Sequence, residues 1–158
     1  MFNSSDPVVV SAPLAGTPAS SGALSGISLA QTGSGTTTLS GFNSFSGSVN
    51  ITQGTLALGA ANTLPGGVAI NLSGGSLLMS NSNAVGTVTV SSGSITGTGT
   101  LSSANFNFNN TGGAQINVSA PLGTPNAGST ALVENGTGTT TLSGANSFSG
   151  STTVTAGL

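Results

Sequence analysis

The stretch Val49-Asn50-Ile51-Thr52-Gln53-Gly54-Thr55-Leu56-Ala57-Leu58 sets two alternating apolar pairs, Val49/Ile51 and Leu56/Leu58, on either side of a glycine. Both pairs return along the chain. The first recurs as Val68/Ile70, Val88/Val90 and Phe106/Phe108, at steps of 19, 20 and 18. The second recurs as Leu77/Met79, Ile95 and Ile116/Val118, at steps of 21, 18 and 21. Small polar residues lie between and around the members of each pair, the period-2 pattern of a strand with one buried face. No stretch carries an apolar i, i+3, i+4, i+7 stripe, and Gly, Ser, Thr and Asn are poor helix formers. Two strand series on one beat predict an all-β chain whose coils stack on one another. The expectation is a β-solenoid, specifically a right-handed parallel β-helix with coils of about 19–20 residues. At that length the 158 residues make about eight coils and a rod roughly 40 Å long.

A longer repeat encloses this beat. Gly35-Thr36-Thr37-Thr38-Leu39-Ser40-Gly41-Phe42-Asn43-Ser44-Phe45-Ser46-Gly47-Ser48 returns at an offset of 103 as Gly138 to Ser151, with Ala145 in place of Phe42 as the one difference. Upstream, Val10-Ser11-Ala12-Pro13-Leu14 with Gly16-Thr17-Pro18 returns as Val118-Ser119-Ala120-Pro121-Leu122-Gly123-Thr124-Pro125. Residues 1–158 therefore read as a single solenoid domain holding about one and a half copies of a long unit, with repeat motifs at 35–56 and 138–158. Corners are supplied by Leu64-Pro65-Gly66-Gly67, suited to a type II turn, and by Asn135-Gly136, Ser73-Gly74-Gly75 and Thr111-Gly112-Gly113, which tolerate positive φ.

Composition removes most other functions. Gly, Ser, Thr and Asn make up 91 of the 158 residues, and Lys, Arg, His, Cys, Trp and Tyr are all missing. Without Lys or Arg nothing neutralises phosphates, so nucleic acid is not an expected partner. Without His or Cys the usual zinc, iron–sulfur and haem ligands are missing, and no metal or cofactor is expected. The two acidic residues, Asp6 and Glu134, stand 128 positions apart with no basic partner to tune them. No catalytic site is expected, and the chain does not read as an enzyme. The longest aliphatic run is Val8-Val9-Val10, so this segment is not expected to insert in a membrane as a helix. The Met1-Phe2-Asn3-Ser4-Ser5-Asp6 start lacks the features of a secretory signal.

The two Gly-Thr-Thr-Thr-Leu-Ser-Gly-x-Asn-Ser-Phe-Ser-Gly copies are followed by Val49 to Leu56 in one case and by Thr153-Val154-Thr155-Ala156-Gly157-Leu158 in the other. Together they resemble the passenger-associated repeat of bacterial autotransporters. The resemblance covers the segments 35–56 and 138–158 and implies a secreted right-handed parallel β-helix on the bacterial cell surface. It says little about activity. The lysines common in such passengers are missing here.

Individual residues read as structural. Asp6-Pro7 is expected to guard an exposed strand edge, and Glu134, beside Asn135-Gly136, to be a solvated loop carboxylate. A calcium β-roll needs repeated Asp, and the chain has one. Phe45, Phe106, Phe108 and Phe148 read as core. Asn50-Ile51-Thr52 and Asn117-Val118-Ser119 read as parts of Asn ladders along a solenoid turn. Gly33-x-Gly35 and Gly97-x-Gly99 lack the rest of a nucleotide site and read as turns. Thr36-Thr37-Thr38, Thr139-Thr140-Thr141, Thr87-x-Thr89 and Thr98-x-Thr100 do not recur on the coil beat, so a long flat Thr array is not expected. The expected function is a non-enzymatic structural or adhesive module of an exported surface protein, extracellular or at the cell surface. The alternative is a glycan- or ice-binding solenoid using a Thr-bearing face, with a glycan or surface receptor as its partner. Low charge and unblocked end coils predict association end to end, in the extreme as a filament.

Overall fold

The computed structural model describes residues 1–2, 4–10, 14, 28–125 and 128–156. Ser11 to Pro13 and Gly16 to Pro18 of the upstream repeat, with Gly157-Leu158, lie outside the described residues. Among the described residues thirteen strands follow one another: β1 Val8–Val10, β2 Leu29–Gln31, β3 Thr36–Leu39, β4 Val49–Ile51, β5 Thr55–Leu58, β6 Ile70–Met79 and β7 Asn83–Gly97. They continue as β8 Leu101–Phe108, β9 Gln115–Val118, β10 Leu122–Gly123, β11 Ala131–Glu134, β12 Thr139–Leu142 and β13 Thr152–Val154. Every pairing among the described residues is parallel, and the architecture is a β-solenoid.

Two long ladders carry the structure. The first runs β2–β4–β6–β7–β8–β11–β13 and the second β1–β3–β5–β6–β7–β9–β12. A short third ladder joins the start of β7 to β8 and β8 to β10. Along the first ladder Leu29, Val49, Ile70, Val88, Phe106, Leu132 and Thr152 stand one above another. Those positions make about six turns rather than eight. The difference comes from chain spent outside the strands. The step from Phe106 to Leu132 is the longest on this ladder and includes a corner at Thr111-Gly112-Gly113 that projects away from its neighbours. At about 4.8 Å per coil, six steps advance roughly 29 Å.

The interior is built as columns. Gln31, Ile51, Leu72, Val90, Phe108, Glu134 and Val154 share one, and Thr37, Leu56, Leu77, Ile95, Val118 and Leu142 share another. The inward positions read from the periodicity, Val49, Ile51, Val68, Ile70, Val88, Val90, Phe106 and Phe108, are all buried. Each such side chain contributes about 1.5–3 kcal/mol of hydrophobic stabilisation. The Phe106 and Phe108 rings add an offset stack, with centroids 6.5 Å apart.

The corner between the ladders dictates glycine. Gly54 has φ 63° and Gly75 φ 65°, a left-handed conformation that side chains with a Cβ disfavour. A Cβ on Gly54 would strike the carbonyl oxygens of Gly33 and Gly35, and one on Gly75 that of Gly54, so each corner sits directly on the one below. Gly54→Ala is therefore expected to cost about 2 kcal/mol or more from strain and backbone collision together. Urea unfolding followed by circular dichroism measures it, and a cost below about 0.5 kcal/mol would contradict the corner geometry.

Two corner readings are corrected. The Leu64–Gly67 type II turn does not form; Val68 N–H donates to the Pro65 carbonyl at 3.2 Å, one residue later, and Gly66 stays out of the left-handed region. Asn135-Gly136 likewise avoids positive φ, because Asn135 N–H extends the ladder to the Phe108 carbonyl at 2.9 Å. Ser73-Gly74-Gly75 and Thr111-Gly112-Gly113 use positive φ as expected.

Candidate functional site

Asn43 and Asn146, the asparagines of the long repeat, act as clamps between coils. The Asn43 side-chain carbonyl accepts from Leu14 N–H at 2.6 Å, and that of Asn146 from Leu122 N–H at 2.9 Å. Asn83 repeats the arrangement with Leu64 N–H at 3.2 Å. The shared Leu of the upstream repeat and the shared Asn of the downstream repeat are thus two halves of one contact. Phe45 is core as expected, and Phe148, its counterpart in the last coil, is half-buried against the core. Phe42 is 73 % exposed, which is why Ala145 can replace it.

Outward residues form two polar columns. On the first ladder, Asn50, Asn71, Thr89 and Asn107 are in register, with Asn71 Nδ2 donating to Asn50 Oδ1 at 2.9 Å. The Asn ladder therefore lies on a strand rather than at a turn. On the second, Thr36, Thr55, Ser76, Ser94, Asn117 and Thr141 are in register. Thr supplies only three of these six positions, so the column is a mixed hydroxyl and amide row and no continuous Thr array. The threonine runs are split by burial. Thr36 and Thr38 lie on the outside, while Thr37 is buried in the interior.

Asp6 and Glu134 do not meet. Asp6 is exposed at the first corner, its N–H donating to Ser4 Oγ at 3.1 Å and its carbonyl packed against Gly35. Glu134 lies five steps along the first-ladder column from Gln31, which separates the carboxyls by roughly 24 Å or more. Asp6 precedes β1 instead of standing on it, so it leaves the edge of that strand uncovered.

Glu134 is not a solvated loop residue. It ends β11 facing the interior and is 8 % exposed. Its position in the repeat is that of Gln31, and the two environments differ in one instructive way. Gln31 Nε2 donates to the carbonyls of Gly33 (2.8 Å) and Gly35 (3.2 Å), and Thr37 Oγ1 donates to Gln31 Oε1 at 2.7 Å. Every polar group on that side chain is used. Glu134 has no proton to donate when ionised. Its Oε1 accepts from Gly136 N–H at 2.7 Å, while Oε2 and the hydroxyl of Thr140, the counterpart of Thr37, are buried without a hydrogen-bond partner. Both face a cavity of about 190 Å³ at the C-terminal end, whose apolar lining includes Phe108, Leu132, Leu142 and Val154. Reading the repeat from Gly35 onward hides this pair. Extending it upstream, Leu29-Ala30-Gln31 against Leu132-Val133-Glu134, would have placed Glu134 in the interior.

Residues 29–58 and 132–158 match the family of the passenger-associated-transport-repeat. The match falls on two separate segments of the chain. No curated protein and no solved structure matches the chain. Each matched segment begins on the first ladder, at β2 or β11, crosses the corner to β3 or β12, and returns to the first ladder at β4 or β13. The repeat is thus one turn of solenoid plus the start of the next. Its family implies a secreted or surface-exposed protein.

Proposed function

We propose that this chain is a non-enzymatic structural and adhesive module of a bacterial surface protein, displayed outside the cell as a stiff stacked rod. The observation that carries the reading is the passenger repeat occurring twice on one parallel solenoid, at equivalent turns five coils apart. A non-enzymatic role fits two carboxyls held at opposite ends, one on an exposed corner and the other inside the coil stack. Protease shaving of intact cells that make the protein tests display. The expected result is release of fragments of this chain without lysis, and full protection in intact cells would defeat the reading.

A second reading has its own observation, the two outward polar columns repeating at coil spacing. Hydroxyls and amides at about 4.8 Å intervals suit a regular polysaccharide or an ice lattice. Glycan-array and ice-affinity binding by the wild type and by Thr87→Ala with Thr89→Ala separates the two. Saturable binding lost in the double variant would favour the glycan or ice face.

A further inference from the structure

Glu134 takes the place of a glutamine whose polar groups are all used, and the exchange creates a demand for positive charge. Gln31 Nε2 donates to the carbonyls of Gly33 and Gly35, while Oε1 accepts from Thr37 Oγ1. All of these partners lie on the coil of Gln31 itself. The coil that follows presents the apolar side chains of Ile51 and Leu56 at those two columns. In the second repeat Glu134, Gly136, Gly138 and Thr140 stand where Gln31, Gly33, Gly35 and Thr37 stand in the first. An amide donor aimed at two carbonyls has become a carboxylate oxygen. Oxygen facing oxygen is repulsive unless a cation lies between.

Among the described residues, the buried side-chain oxygens without a hydrogen-bond partner are Glu134 Oε2, Thr140 Oγ1 and Asn110 Oδ1. All three belong to this corner. Asn110 comes from the preceding coil and has no solvent exposure. Its Nδ2 donates to the Ala114 carbonyl at 3.1 Å, which fixes the amide, and Gly138 N–H donates to its backbone carbonyl at 3.0 Å. A Cβ on Gly136 would strike Asn110 Oδ1, and one on Gly138 would come within 2.8 Å of Asn110 Nδ2. Glycine at both positions thus lets the Asn110 amide lie directly against the corner. Glu134 is held on the same glycine, Oε1 accepting from Gly136 N–H at 2.7 Å. A buried charged acceptor needs a partner, and the chain has no Lys, Arg or His to supply one.

We propose that this corner binds a calcium ion, at the place that the Gln31 amide nitrogen takes in the first repeat. Its ligands are Glu134 Oε2, Asn110 Oδ1, Thr140 Oγ1 and the carbonyls of Gly136 and Gly138, with water completing the shell. Missing His, Cys and repeated Asp exclude zinc and a β-roll, but not a site built from amide, hydroxyl and backbone oxygens. Such an all-oxygen set suits a hard cation. Calcium accepts about six to eight oxygens in irregular geometry, whereas magnesium demands a near-ideal octahedron and keeps its water. No three His, Cys, Asp or Glu side chains come together among the described residues, so a single carboxylate carries the charge. That places the affinity at the weak end for calcium sites, with Kd about 0.1–1 mM. Surface display is a separate matter, decided by cell shaving.

Calorimetric titration of the full, chelator-treated chain with CaCl₂ in about 0.15 M NaCl tests it, alongside thermal melts followed by circular dichroism. The wild type is expected to bind one ion per chain and, at about 10 mM Ca²⁺, to melt about 3–8 °C higher than in chelator. Mg²⁺ at the same concentration should give less than about half that rise. Glu134→Gln restores the amide of the first repeat, so it should fold at least as well in chelator and lose the calcium response. Asn110→Asp adds a second carboxylate to the shell and should tighten binding about tenfold. Asp6→Asn, at an exposed residue of the first corner, should leave binding unchanged. A wild type without saturable binding or without a rise in melting temperature would overturn the proposal. So would a response that Glu134→Gln keeps, that Asp6→Asn removes, or that a folded Asn110→Asp fails to tighten. An equal rise with Mg²⁺ would overturn the choice of calcium.

Discussion

Phe106→Ala is expected to remove about 3–5 kcal/mol of stability, the usual cost of hollowing a packed aromatic site. Phe106 has no solvent exposure, lies between Val88 and Leu132 on the first ladder, and stacks on Phe108. Each coil touches chiefly the coil before and the coil after, so the vacancy has few neighbours able to collapse into it. Against a typical total of about 5–15 kcal/mol, the loss is a large fraction of the stability. Phe42→Ala is the matched control, an exposed residue already replaced by Ala in the second repeat, with an expected change within about 0.5 kcal/mol. Urea melts of both variants give the comparison. A Phe106→Ala loss under about 1 kcal/mol would mean that the interior is not packed as described.

Exchanging Gln31 and Glu134 one at a time should move stability in opposite directions. Glu134→Gln supplies the amide donor that its glycine corner accepts in the first repeat, and removes a buried charge with one oxygen unpartnered. The expected gain is about 1–2 kcal/mol. Gln31→Glu loses donors to Gly33 and Gly35 and places a charge where no Lys or Arg exists to pair it. The expected loss is about 2–3 kcal/mol, the range for leaving buried partners unsatisfied. Melts at one fixed pH suffice. Equal effects of both substitutions would show that the two repeat environments are interchangeable after all.

The strand rhythm was legible because burial alternates within each strand and the alternation survives in sequence, as at Val88/Val90 and Phe106/Phe108. Coil count was not, since residues that leave the coil, such as Thr111 to Gly113, carry the same small polar composition as those that stay. Turn chemistry was half legible. Gly75 and Gly112 need left-handed backbone and say so, but Pro65-Gly66-Gly67 fits more than one turn, and its ladder partners choose between them. Glu134 was misplaced because a carboxylate beside Asn-Gly looks solvated until the column it stands in is known. The repeat offset held that information. Thr37 shows the same limit, since a threonine in a run of three gives no sign of which member faces inward.

Gln31 and Glu134 occupy one interior column five turns apart, so the gene encoding this chain can change in whole turns. The near-identical segments 35–48 and 138–151 are natural partners for unequal recombination. An exchange between them deletes or duplicates a stretch as long as 35–137, an integral number of coils. Every ladder on either side of the joint would keep its register, and the solenoid would shorten or lengthen by roughly 24 Å. Length becomes a heritable variable that can drift without refolding the molecule, and the span of this solenoid would follow the number of repeats.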